Sequence, residues 1–167
     1  MTLTTTISLC DLDAARVWNY WFSHRDLSGA PGPVCDPFAE DYALDQALWF
    51  RGGPEVDAEI ERHFGALLGR AAAGALDHWR ESPRECLALV VLLDQFPRNI
   101  HRGTAAAFAH DPLALALARH ALAQGFDRLL APAEALFLFL TLSHAEQIAE
   151  THLVDTTDTV GEELAVE

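Results

Sequence analysis

The sequence predicts an all-α domain of about six helices in antiparallel pairs, on three observations. Apolar residues recur at helical spacing along nearly the whole chain. Proline and glycine fall where helices start and stop. No segment alternates convincingly with period two; Val90-Val91 is β-branched but lies inside a capped, apolar helical stretch. The chain has 167 residues, of which 50% are hydrophobic and 22% charged, so a single domain can enclose a real core.

Asp11 or Asp13 can cap the first helix. Ala14, Val17, Trp18, Trp21 and Phe22 then share one face. His24 to Asp41 carries prolines, glycines and polar residues and reads as a long loop. A short helix is expected from Tyr42 to Phe50. Gly52-Gly53-Pro54 breaks the chain, with Pro54 suited to a first helical turn. Val56, Ile60, Phe64, Leu67, Leu68 and Ala71 keep helical period, and Gly74 marks the stop. Ser82-Pro83-Arg84-Glu85 reads as cap, proline and capping box. The next helix is apolar on every side from Cys86 to Leu93, which places it at the centre. Its end is expected at Phe96-Pro97, because proline disfavours helix at the preceding residue. Thr104 to His110 suggests a short turn. Asp111-Pro112 repeats the cap-then-proline signal for a helix over Leu113 to Gln124, closed by Gly125. Pro132 opens the last strong helix, whose inner side carries Leu136, Phe137, Phe139, Leu140, His144 and Ile148. These elements make residues 1–152 one helical domain. Residues 153–167 form an acidic, flexible tail.

Composition excludes several chemistries. All 11 basic residues are arginine. A P-loop lysine, a Schiff-base lysine and a pyridoxal-phosphate lysine are therefore impossible. The 25 acidic residues leave a formal charge of −14, which repels nucleic acid and anionic membrane surfaces. No apolar run is long enough to span a bilayer, and no secretion signal is apparent at the N-terminus. Cys10, Cys35 and Cys86 are three in number and lack metal or redox spacing, so the expectation is a reduced cytoplasmic protein without a disulfide framework or structural zinc. No cofactor or metal is expected.

Two polar stretches stand out. Asp94 to Thr104 follows the most apolar helix, which delivers its last residues to a fixed place. Arg98 and Arg102 are four apart and suit a carboxylate or phosphate, with Gln95 and Asn99 adding hydrogen-bonding amides. Asp94 can instead tie down one arginine as part of a helix end. The second stretch holds His144 and Glu146. An inward-facing histidine can move a proton near neutral pH or can be a core imidazole bonded to a carboxylate such as Asp94. Glu146 lies about 200° around the helix from His144, so the two do not form a metal pair on one regular helix. His63, His78, His101, His110 and His120 show no zinc spacing. No G-x-S-x-G turn surrounds Ser143. Trp18, Trp21, Trp49 and Trp79 read mostly as core, with one or two available to line a pocket.

The stretch Leu92-Leu93-Asp94-Gln95-Phe96-Pro97-Arg98-Asn99-Ile100-His101-Arg102-Gly103-Thr104, followed by Ala107-Phe108-Ala109-His110-Asp111, resembles the signature of the bacterial DUF924 family. Trp21-Phe22, Trp49-Phe50 and Trp79 before Ser82-Pro83-Arg84 resemble it too. The resemblance runs from about Val17 to Glu146. It implies a TPR-like right-handed array of helices and no particular reaction. It also implies a late histidine-serine-glutamate stretch, which His144 and Glu146 match. Ala145, Thr151 and Thr141 depart from the serine, glutamine and proline usual there. The closing segment of the family is replaced by the acidic tail, as in a divergent member shortened at its C-terminus.

The leading expectation is a concave pocket for a small anionic ligand. Arg98 and Arg102 bind the anion, and Asn99 and Gln95 hydrogen-bond to it. Trp21 or Trp49 covers an apolar part. His144 moves a proton, oriented by Asp94 or Glu146. Any reaction is acid–base chemistry: hydrolysis, isomerisation or elimination. The rival is a TPR-like interaction module in which the polar cluster is a structural lock and the partner is a protein. A third reading is an accessory protein that has lost an ancestral activity, motivated by Ala145 and Thr151. The oligomeric state cannot be read from the sequence.

Overall fold

The structure is a computed structural model, and it describes residues 11–23, 27 and 47–144. Among these residues there are six α-helices and no strand: α1 (Leu12–Phe22), α2 (47–50), α3 (Pro54–Ala72), α4 (Pro83–Ile100), α5 (Asp111–Ala123) and α6 (132–144). Three short 3₁₀ turns, Asp77–Glu81, Ala105–Phe108 and Phe126–Arg128, join them. The all-α expectation holds. Most of the 24–41 loop, Cys10, Cys35, Ala145, Glu146, Thr151 and the acidic tail lie outside the described residues.

The central helix is α4, as its all-round apolarity requires. Every residue from Glu85 to Pro97 is buried, and α1, α3 and α5 pack around it. The aromatic residues of α1 complete the core. Tyr20 meets Phe64 edge-on at 5.2 Å between ring centroids, Trp21 meets Phe96 at 5.6 Å, and Phe137 of α6 meets Trp49 at 5.1 Å. Such edge-to-face pairs add to the burial of large apolar surfaces. Cys86 is a buried free thiol whose pKa burial pushes up to about 12, so it stays protonated.

Local signals place most ends correctly. Asp11 caps α1, its Oδ1 accepting from Asp13 N at 2.8 Å and Ala14 N at 3.2 Å. Gly74 and Gly125 follow α3 and α5 with φ of 78° and 72°, the left-handed conformation that stops a helix. Three expectations fail, each to a tertiary contact. The capping box does not form: Ser82 makes no side-chain cap, and Glu85 Oε1 accepts from Asp11 N at 3.0 Å, tying α4 to α1. Asp111 lies inside α5, with His110 at the cap position, because its carboxylate is drawn to Arg98. Helix α4 does not end at Pro97 but runs on to Ile100. Its last turn is held by side chains that bond back to the backbone: Arg98 Nη1 to Asp94 O at 2.6 Å and Asn99 Nδ2 to Gln95 O at 3.0 Å. The carbonyl that Pro97 deprives of a donor is that of Leu93, and these two bonds instead tie the last turn to the carbonyls just after it.

Candidate functional site

The continuation of α4 through Pro97 decides where the polar side chains go. Residues 94–102 wind around one helix end instead of unravelling as a loop. They meet the end of α2 on one side and the end of α6 on the other. Between them lies a hollow of about 260 Å³. Six of the nominated residues line it: Trp49, Gln95, Arg98, Asn99, Arg102 and His144.

The floor is built on Asp94, which is only 1% exposed. Its Oδ1 lies 3.2 Å from His144 Nδ1 and forms an ion pair with Arg98, 3.1 Å from Nη1. Its Oδ2 accepts from the Gln95 amide. An ionised carboxylate only accepts, so Nδ1 of His144 carries the proton toward Asp94 and Nε2 is the acceptor of the neutral ring. The imidazole is 28% exposed and so remains in reach of solvent. Two segments 50 residues apart are thus joined as the sequence suggested.

The two arginines do not form a shared fork. Arg98 already grips Asp111 with both terminal nitrogens, Nη1 to Oδ1 at 2.9 Å and Nη2 to Oδ2 at 3.0 Å, and lies over the Phe108 ring at 5.3 Å. Arg102 turns toward α3, where Nε and Nη2 each donate to Asp57 at 2.8 Å. Its Nη2 also donates to Asn99 Oδ1 at 3.0 Å, and the Asp57 carboxylate raises its pKa further. The Arg102 side chain is 54% exposed and that of Asp57 16%, so water reaches this pair from the arginine side, whereas Arg98 is mostly enclosed. Trp49 donates from Nε1 to Trp21 O at 2.8 Å and forms part of the wall. Trp21 is 0% exposed, and packs in the core without lining the hollow. Glu146 lies outside the described residues.

Four participants were not nominated from sequence. Arg51 lines the hollow and makes no ion pair among the described residues. Gly52 forms the adjacent wall at φ 36°; a Cβ there would stand 2.7 Å from Arg102 Nη2 and 3.3 Å from Asn99 Oδ1. Asp57 and Asp111 hold the two arginines. Gly52-Gly53-Pro54 carried a signal for a break, but nothing local said that the break would abut Arg102. Among the described residues, no three of His, Cys, Asp and Glu converge as metal ligands.

The comparisons agree with this architecture. A solved structure of a protein of unknown function from Agrobacterium tumefaciens is similar to the chain, with 38% identity and a TM-score of 0.58. The similarity covers 67% of this chain and 64% of that one, just under two thirds of the solved relative's length. No curated protein matches. The family model described as a bacterial protein of unknown function, DUF924, matches residues 17–165, past Glu146 and through most of the acidic segment. A match over that much of the chain, with the quoted signature at its centre, establishes that this protein belongs to the DUF924 family.

Proposed function

We propose that the hollow between α2, α4 and α6 binds a small anionic molecule and supports acid–base chemistry on it. The observation that carries this is the His144–Asp94 contact at the wall of a polar hollow that also presents Arg51 and Arg102. Arg51 is a cation with no ion pair among the described residues. Arg102 adds the N–H directions that Asp57 and Asn99 leave open. Arg98, already bound to Asp111, acts as a positioning residue that fixes Asp94. His144, with Nδ1 anchored, offers Nε2 to accept or return a proton. Asn99 and Gln95 hydrogen-bond and Trp49 covers an apolar edge. The volume is slightly below the usual range for drug-sized ligands, so the ligand has few heavy atoms. Hydrolysis, isomerisation and elimination all use such a pair. The protein works in the cytoplasm, which suits its free buried thiol.

A specific observation supports a second reading, a TPR-like interaction module with a polar lock: Arg98 and Arg102 each already hold a carboxylate. Thermal melting with a panel of small carboxylates and phosphomonoesters separates the two. One class should raise the Tm of the wild-type protein and fail to do so in Arg51→Ala and His144→Ala. If no class shifts the Tm, and His144→Ala is strongly destabilised, the module reading stands instead.

A further inference from the structure

A second hollow, of about 350 Å³, lies between the end of α3, α4 and α5. It opens on the opposite side of α4 from the first. Leu89 lines this one and Arg98 the other, and at about 100° per residue they point about 180° apart. Its walls are apolar: Leu89 and Leu93 from α4, Leu113 and Leu117 from α5. Leu113 is 45% exposed, so the hollow reaches solvent.

Two opposite charges stand at its edge. Asp77 and Arg80 both line it, and both come from the 3₁₀ turn Asp77–Glu81. At about three residues per turn, positions three apart project from the same side. Yet they do not pair with each other, and neither makes an ion pair with another described residue. Arg80 Nε is buried out of reach of the hollow and has no hydrogen-bond partner among the described residues, so it is the outer nitrogens of this guanidinium that a ligand would meet.

We propose that this hollow is a binding site for a free apolar α-amino acid of about leucine size. The carboxylate of the ligand accepts from Arg80, its ammonium group pairs with Asp77, and its side chain lies on the leucines. One guanidinium, one carboxylate and an apolar floor match a zwitterion with an apolar tail. A fatty carboxylate would leave Asp77 facing an anion. A peptide would hold its two termini too far apart for one turn.

The test is calorimetric titration of the full chain with L-leucine, 4-methylpentanoate (which lacks the ammonium), leucinamide (which lacks the carboxylate) and glycine (which lacks the tail). Leucine should bind at least tenfold more tightly than each of the three. Asp77→Asn and Arg80→Gln should each weaken leucine binding at least tenfold. Leu113→Glu, at a position already half in water, should abolish it. Asp77 is on the surface, so Asp77→Asn keeps the test open if Arg80→Gln does not fold. Arg102→Ala should leave leucine binding unchanged. The proposal is overturned if leucine gives no heat, if 4-methylpentanoate binds equally well, or if Asp77→Asn binds leucine like the wild type. It is also overturned if Arg102→Ala removes binding, which would move the leucine to the first hollow.

Discussion

Two polar contacts join α6 to α4, and they are built differently. Glu134 meets Arg84 near the start of α4, and His144 meets Asp94 ten residues further along both helices. The equal spacing means that the two helices run in the same direction over about 15 Å. The first contact is sealed. Glu134 is 0% exposed and accepts from Trp18 Nε1 at 2.7 Å, Arg84 Nε at 2.9 Å and Ala131 N at 2.7 Å. Arg84 also stacks over the Trp18 ring at 4.6 Å. The second contact has an equally buried carboxylate, but its histidine stands at a hollow with Nε2 unclaimed by any described residue. The same device, an acid bridging two helices, serves packing where its acceptors are enclosed with their donors, and under the proposed function it is free for chemistry where one ring nitrogen is left facing outward.

Removing each partner should expose the difference. Glu134→Ala takes an acceptor from Arg84 and strands the Trp18 indole and the Ala131 N–H in an enclosed place. It should cost about 3–5 kcal/mol, read by urea unfolding. His144→Ala removes a partly exposed ring and leaves Asp94 still paired to Arg98. It should cost under about 1 kcal/mol while abolishing ligand-dependent stabilisation. Equal losses in the two variants would make both contacts locks and would break the comparison.

The sequence made one end of this pair more legible than the other. The fold was readable because apolar periodicity and the stops at Gly74 and Gly125 are local signals. The convergence of Asp94, Arg98 and His144 was readable because a wholly apolar helix must be central and its end must meet whatever packs there. The partners were not. Asp111 and Glu85 look like helix-start residues, and in sequence nothing separates a carboxylate that caps its own helix from one that reaches another. Pro97 misled for the same reason: its local preference was outweighed by Arg98 and Asn99 bonding back to the α4 carbonyls. Glu134 was placed in a first turn correctly, but its role as a buried acceptor depends on Trp18, 116 residues away. Arg51 and Gly52 had no chemical pattern to announce them.

The wall formed by Gly52 gives a finer probe of the open side. Gly52→Ala places a methyl group against the Arg102 guanidinium at a positive φ, where a side chain costs about 1–2 kcal/mol. It should lower stability by that amount and weaken anion binding by moving Arg102. Arg102→Ala should lose about 1 kcal/mol of stability, since water reaches the pair with Asp57 from the arginine side, yet reduce anion affinity about tenfold in a calorimetric titration. If Gly52→Ala alters stability but leaves anion affinity intact, Arg102 is not part of the binding surface.

A last effect belongs to the junction of α1 and α4, where Asp11 caps α1 while its N–H donates to Glu85. Burial raises the Asp11 pKa, but the Trp79 indole, the Ala14 and Asp13 N–H groups and the His78 ring outweigh it and leave the pKa below the ordinary value of 3.8. A carboxyl group lowered on folding stabilises the fold above its unfolded pKa, and that stability is lost as pH falls through the folded value. Asp11→Ala should therefore cost about 1 kcal/mol at neutral pH, and the gap to wild type should shrink below pH 3.8 as the wild type loses the charged cap that the variant already lacks. The difference is read from unfolding midpoints at pH 7 and in acid. A gap that stays constant into acid would mean that the Asp11 side chain acts by packing instead of by charge.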